Sequence, residues 1–251
     1  MNFCSDNVFG ANAEILAALT EAAQGDATSY GNDPYTERLE KKLSEIFETK
    51  LAVFPVVTGT AANALSLAAM TPPWGAVYAH EEAHILGDEC GAPEFYSGGA
   101  KMVGLPGDHG KLTAATVKAA LVNAGKGNIH HTQPAAVSLS QATECGTVYT
   151  PAEVGAIDEA ARSQGLPLHM DGARFANALV KLGCSPAATT WKSGVDVLSF
   201  GATKKWCLDG RGHCGVSARS CRNLGLSAQA GRAFGFEATV CLGSALRLSR
   251  Q

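Results

Sequence analysis

Two stretches decide the reading of this chain. The first is Leu166-Pro167-Leu168-His169-Met170-Asp171-Gly172-Ala173-Arg174. The second is Val195-Asp196-Val197-Leu198-Ser199-Phe200-Gly201-Ala202-Thr203-Lys204. Each begins as a short apolar run of strand length and ends in small residues followed by a charged one. Runs of this kind, closed by glycine, predict buried strands. Helical patterns flank them. Residues 151–163 bring Val154, Ile157 and Ala161 into register, and residues 174–182 follow the first run. Strands separated by helix-length segments imply crossovers and a parallel sheet. Ligands of such sheets bind beyond the carboxyl ends of the strands. Asp171, Arg174 and Lys204 therefore fall where chemistry is expected.

The alternation extends towards the N-terminus. Residues 11–23 place Ile15, Leu16, Leu19, Ala22 and Ala23 on one helical face. Asp33-Pro34 opens a second helix as cap and first turn, with Leu39, Leu43, Ile46 and Phe47 as its apolar stripe. Residues 51–57 form an apolar strand, broken by Thr58-Gly59-Thr60 before a helix over 61–70. Strands are expected at 76–79 and 135–139, with a helix over 113–124 that faces inward through Val117 and Leu121. The fold class is α/β with a mostly parallel sheet. No internal repeat or low-complexity linker interrupts it.

Composition sets the outer bounds. The chain has 251 residues, 46% of them hydrophobic and 17% charged, with a formal net charge of −3. That suits one large domain, or one domain plus part of another, and argues against intrinsic disorder. The mild acidity gives no electrostatic case for nucleic acid. No apolar run approaches the ~20 residues of a membrane-spanning helix. Residues 1–9 lack the basic-then-apolar pattern of a secretory signal, so a cytoplasmic location is expected. The eight cysteines have no regular spacing and read as reduced thiols.

Each charged or small-residue segment after a strand has a plain reading beside a chemical one. Thr58-Gly59-Thr60-Ala61-Ala62-Asn63 is a tight turn with a helix cap, or a phosphate cradle made of backbone N–H groups. Asp171 is a helix cap with Arg174 a surface arginine, or an acid facing the ligand crevice. Lys204 is solvated and inert, or an amine able to form a Schiff base. The conjunction favours the chemical readings. A phosphate turn, then an acid, then a lysine, each after a strand, is what pyridoxal phosphate requires.

With these residues in view, the chain up to Lys205 resembles the low-specificity L-threonine aldolases among the fold-type I pyridoxal phosphate enzymes. The matching stretches are SDNVFGA (5–11), SYGNDPYTERLE (29–40), VTGTAAN (57–63), AHEEAHI (79–85), HMDGARFANAL (169–179) and DVLSFGATK (196–204). The resemblance implies a pyridoxal phosphate-binding large domain over residues 1–205. In it Lys204 holds the coenzyme aldehyde, Asp171 pairs with the pyridinium nitrogen and Arg174 sits beside the coenzyme. Gly59 and Thr60, helped by Thr203, bind phosphate, and His84 stacks on the ring. Ser5 and Arg174 meet the substrate. His130, next to His131, falls where the family places a second histidine, and His84 or His130 is the candidate base. The implied reaction is retro-aldol cleavage of L-threonine or L-allo-threonine to glycine and acetaldehyde. A homodimer or homotetramer is implied by resemblance alone. Another β-eliminating lyase or an aminotransferase remains open within the same fold.

Two features compete with this reading. His80-Glu81-Glu82-Ala83-His84 fits the H-E-x-x-H pattern of zinc hydrolases, which needs a helix to put both histidines on one face. It directly follows a strand and lacks an amphipathic helical pattern, so no metal is expected. The second feature is a seam after Lys205. Residues 1–205 carry eleven lysines and three arginines, whereas residues 206–251 carry six arginines, no lysine and four of the eight cysteines. Back-translating from Lys205 with favourable synonymous codons and dropping one base yields N-G-A-L-T-A-E-A-I-V-V-F, which resembles the family's continuation. Residues 206–251 are therefore expected to be an out-of-frame, poorly ordered tail. On this reading the family's antiparallel strand and its C-terminal domain, with an arginine for the substrate carboxylate, are missing. Neighbouring strands then lose ladder partners, for which residues 213–218 substitute poorly, and the polypeptide has little or no activity. A non-catalytic remnant is the alternative.

Overall fold

The computed structural model describes residues 13–201 and 237–242. Eight α-helices occur among them: α1 (Ala13–Ala22), α2 (Pro34–Ile46), α3 (Gly59–Met70), α4 (His84–Gly87), α5 (Ala92–Tyr96), α6 (Ala114–Asn123), α7 (Pro151–Arg162) and α8 (Phe175–Leu182). The strands are β1 (Leu51–Val56), β2 (Gly75–His80), β3 (Lys101–Leu105), β4 (Gln133–Ser140), β5 (Leu168–Gly172), β6 (Val197–Phe200) and β7 (Glu237–Leu242). They form one sheet in the order β1-β7-β6-β5-β4-β2-β3. β3, β2, β4, β5 and β6 run parallel to one another, and β7 is antiparallel to both β1 and β6.

Local chemistry starts the helices where the sequence places them. Asp33 caps α2, its Oδ1 accepting the N–H groups of Tyr35 at 2.9 Å and Thr36 at 2.8 Å, with Pro34 in the first turn. Thr150 and Glu153 form a reciprocal capping box on α7 ahead of Pro151. α3 begins at Gly59, earlier than periodicity suggests, because Thr58 Oγ1 accepts the Ala61 N–H at 3.1 Å. β3, α4 and α5 escape the sequence reading, since they are short and carry no sustained period.

The central strands β2, β5 and β6, with most of β4, are buried on both faces, as parallel strands covered by crossover helices must be. On one face Val137, Leu139, Leu168, Met170, Leu198 and Phe200 pack with Leu43, Val117, Ile157 and Leu179 from the surrounding helices. Phe47, Phe175 and Phe200 meet ring to ring, with centroids 6.0 to 6.3 Å apart, and fasten α2 and α8 to β6. On the other face Leu67 and Met70 of α3 cover Val77, Ala79, Ala136 and Val197. α3 lies over β4, β5 and β6, with Gly59 and Thr60 of its first turn near Ser140 and Asp171 at the carboxyl edge of the sheet.

One expectation is corrected here. The gap between β1 and β6 is not left without ladder partners, because β7 occupies it. Its backbone pairs Leu51 with Leu242 through Val56 with Glu237 on one side, and Val197 with Cys241 through Phe200 with Ala238 on the other. A ladder is made by N–H and C=O groups that every non-proline residue carries, so a tail of foreign composition can still supply them. Residues 213–218, the substitute expected from the sequence, lie outside the described residues.

Candidate active site

The carboxyl ends of β4, β5 and the neighbouring helix starts enclose a cavity of about 310 Å³. Gly59, Thr60, His84, Asp171 and Arg174 all line it, so five sequence-derived site residues converge. Ser5, Thr203 and Lys204 lie outside the described residues. Gly201, three residues before Lys204, is buried at the end of β6 and donates its N–H to Gly172 O at 3.4 Å.

Asp171 is placed by strand register. In β5, His169 and Asp171 share one face while Leu168 and Met170 point to the apolar core. Asp171 lies beside Ser140 of β4 and Ser199 of β6. Its Oδ1 accepts the Ala173 N–H at 3.0 Å, and its Oδ2 accepts Asn63 Nδ2 at 2.9 Å. The carboxylate is thereby held in one orientation at the cavity wall. The next residue must be glycine, since a Cβ on Gly172 would come within 2.7 Å of Leu198 Cδ1 and 2.8 Å of Ser199 O. Below Asp171, the fully buried His169 bridges Ser138 Oγ at 2.8 Å and Ser199 Oγ at 2.9 Å. Burial pulls its pKa down to about 4, so it is neutral near pH 7.

His84 begins α4, four residues after the end of β2. Its Nδ1 is 2.9 Å from Glu89 Oε1, and its N–H donates to Glu144 Oε1 at 3.2 Å. Glu89 is buried and also accepts Asn63 Nδ2 at 2.7 Å. The hydrogen bond to Glu89 raises the His84 pKa against the opposing effect of burial, and the charges of Glu89, Asp171 and Asp88 add to the rise. Asn63 thus bridges two carboxylates with one amide nitrogen. At the third wall, the first turn of α3 presents the backbone of Gly59 and Thr60, the end of a helix where anions are stabilised.

Asn63, Glu89, Ser140 and Glu144 line the same cavity and had no role in the sequence reading. Asn63 has a weak signal, a lone amide on the buried face of an otherwise small and apolar helix. Glu89 has none, because only the turn after α4 brings it back to His84. Asn63 Oδ1, Glu89 Oε2 and Glu144 Oε2 are buried with no hydrogen-bond partner among the described residues. Unsatisfied groups of this kind cost about 1–3 kcal/mol each and concentrate where a ligand is handled.

The chain does not bring His130 into this cavity. It is exposed in the loop before β4, three residues ahead of Gln133, whereas the cavity lies beyond Ser140 at the other end of that strand. The eight-residue strand spans roughly 23 Å. The zinc geometry is not formed either. His80 ends β2, Glu81 and Glu82 form a turn, and only His84 is helical. His80 Nδ1 accepts the Glu82 N–H at 3.1 Å and Nε2 donates to Gly107 O at 2.9 Å, which occupies both ring nitrogens. Among the described residues no cluster of three potential metal ligands occurs, and no helix is long and apolar enough to cross a membrane. Cys90, Cys145 and Cys184 are free thiols.

Comparison with known proteins follows the same lines. The low specificity L-threonine aldolase of Pseudomonas aeruginosa is 48% identical over 202 residues, covering 80% of this chain and 58% of the relative. That of a second Pseudomonas strain is 45% identical over 202 residues, with the same coverage of 80% and 58%. A solved Leishmania major threonine aldolase superposes with a TM-score of 0.77 at 27% identity, covering 98% of this chain and 65% of that one. The chain therefore spans less than two thirds of the length of these relatives. The fold is that of the fold-type I pyridoxal phosphate enzymes' large domain. The profile described as beta-eliminating lyase matches residues 2–217, and the chain belongs to that family.

Proposed function

We propose that this chain carries the coenzyme site of a pyridoxal phosphate-dependent aldolase that cleaves L-threonine or L-allo-threonine to glycine and acetaldehyde. The observation that carries the reading is the convergence of Asp171, His84 and the α3 N-terminus on one cavity. The residues fit the coenzyme chemically. A helix end suits its phosphate, a buried and oriented carboxylate suits its ring nitrogen, and an imidazole lines the same cavity. Lys204 follows Gly201 closely enough, at most about 11 Å of chain, to reach the same edge.

Pyridoxal phosphate supplies an electron sink for the charge left on Cα when a Cα–Cβ bond breaks. Asp171 holds a proton on the ring nitrogen and so keeps the sink cationic. Gly59 and Thr60 anchor the phosphate through backbone N–H groups, and Arg174 adds positive charge to the same wall. His84 takes the proton from the substrate hydroxyl. The raised pKa of His84 makes it a stronger base, at the cost of losing its basic form as pH falls. The expected pH profile therefore rises through the His84 midpoint, which lies above the ordinary imidazole value.

The change of composition after Lys205 favours a second, related reading, a remnant that keeps the coenzyme site but turns over weakly. Residues 206–251 are then an out-of-frame tail, which sequencing the gene across Lys204–Lys205 tests. Borohydride reduction in the presence of pyridoxal phosphate, followed by peptide mapping, tests the site. Label on Lys204 supports it, and label elsewhere or none overturns it. Acetaldehyde release from L-threonine, measured beside a version with the frame restored, tests the activity. Weak release by this chain and strong release by the restored one is expected, and comparable turnover by both removes the remnant reading.

A further inference from the structure

We infer that Glu89 and Asn63 are positioning residues that set the tautomer of His84, placing its proton on Nδ1 and leaving Nε2 as the acceptor for the cavity. The inference rests on the proposed function only for what Nε2 then does. The tautomer itself follows from the hydrogen bonds. An ionised carboxylate accepts and cannot donate, so the 2.9 Å contact between His84 Nδ1 and Glu89 Oε1 requires the hydrogen on Nδ1. A neutral imidazole has one N–H, and Nε2 is then the unprotonated nitrogen.

Glu89 is itself held. Its Oε1 receives the Asn63 amide at 2.7 Å, and the same Nδ2 reaches Asp171 Oδ2 at 2.9 Å. The two hydrogens of that amide are spent on two carboxylates that would otherwise repel each other across the cavity wall. Asn63 comes from α3, Glu89 from the turn after α4 and Asp171 from β5, so the chain of contacts ties three separate elements together at the cavity wall. It also explains why a buried asparagine that reaches β5 sits in a helix made mostly of alanine and leucine.

The charged groups around His84 act in a consistent direction. Glu89 is in contact, Asp88 caps its own helix, Asp171 faces it from β5, and Glu144 holds its backbone N–H from the loop after β4. Arg174 is the opposing charge on the cavity wall. The imidazolium is favoured by the acids, while the neutral form keeps its proton on the side of Glu89. The arrangement has the logic of a carboxylate orienting a catalytic histidine, in which the carboxylate touches no substrate.

The test is a long-range ¹H–¹⁵N spectrum of the histidine rings in the full chain without coenzyme, with His84 assigned by its loss in His84→Gln. Above its midpoint, His84 should show the Nδ1–H form, opposite to the Nε2–H preference of a free imidazole. Glu89→Gln should lower the midpoint, and Glu89→Leu should lower it and abolish the Nδ1–H preference. An Nε2–H form in the unmutated chain overturns the inference without any variant having to fold. An unchanged midpoint in Glu89→Gln also overturns it. Because no coenzyme is present, failure of borohydride trapping at Lys204 would remove the functional reading and leave this result standing.

Discussion

The two faces of β5 differ by one residue in phase and by everything in chemistry. Leu168 and Met170 sink into an apolar cluster with Val137, Leu139 and Leu198. His169 and Asp171, alternating with them, lie in a polar layer of Ser138, Ser140 and Ser199 beneath α3. Both faces are buried, so burial alone does not distinguish core from site. What distinguishes them is whether the buried groups are satisfied internally. The apolar face is complete, and the polar face ends in a cavity where Asn63, Glu89 and Glu144 each keep an unpartnered oxygen among the described residues.

The largest expected effect tests the apolar side. Leu168→Ala removes a fully buried side chain and should cost about 2–5 kcal/mol, read as a lower urea midpoint. Coenzyme affinity should follow stability only, because no site residue contacts that face. Asp171→Asn tests the other side. It should weaken pyridoxal phosphate uptake on the order of 10²-fold, followed by absorbance, with the urea midpoint shifted less than by Leu168→Ala. If Asp171→Asn unfolds the chain instead, the polar face is structural and the contrast fails.

His169 sharpens the comparison through pH. Its folded pKa, about 4, lies below the ~6.5 of an unfolded histidine. Between those values the unfolded chain binds a proton that the folded chain excludes. This contribution to stability is therefore complete above pH 6.5 and is lost as pH falls towards 4, with a slope approaching ~1.4 kcal/mol per pH unit. His169→Gln, which keeps hydrogen-bonding capacity for the two serines, should flatten that slope in denaturant titrations. His84 has the opposite sign: its pKa is raised, so its contribution is present at low pH and lost as pH rises through the folded value. The smallest effect belongs away from both faces. Thr150→Ala removes the α7 cap and should cost ~1 kcal/mol without altering coenzyme uptake.

Legibility followed the range of the interaction. The cap at Asp33, the strand beginning near Leu166 and the acid at its end are local patterns, and they were readable in sequence. Asp171 was found because it lies just past an apolar run, and His84 came from the family resemblance of the 79–85 stretch. Glu89 was not found, since its role depends on a return of chain after a four-residue helix. His130 was not placed by the sequence for the complementary reason. Nearness in a motif does not say at which end of β4 a loop lies, and the structure puts it at the amino end. The expected loss of ladder partners was the one reading of the tail that failed. The tail's composition departs from that of residues 1–205, yet its backbone at 237–242 completes the ladder between β1 and β6.

The amino-acid sequence alone determined the periodicities, and with them the parallel α/β architecture, the order of turn, acid and lysine, and the coenzyme those groups suit. These rest on spacing along the chain, which a sequence states directly. Only the tertiary structure decided which polar groups meet. Asn63, Glu89 and Asp171 are separated by 26 and 108 residues from one another along the two contacts that join them. Hydrogen bonds act over about 3 Å, so such partnerships exist only after the sheet and its helices have packed.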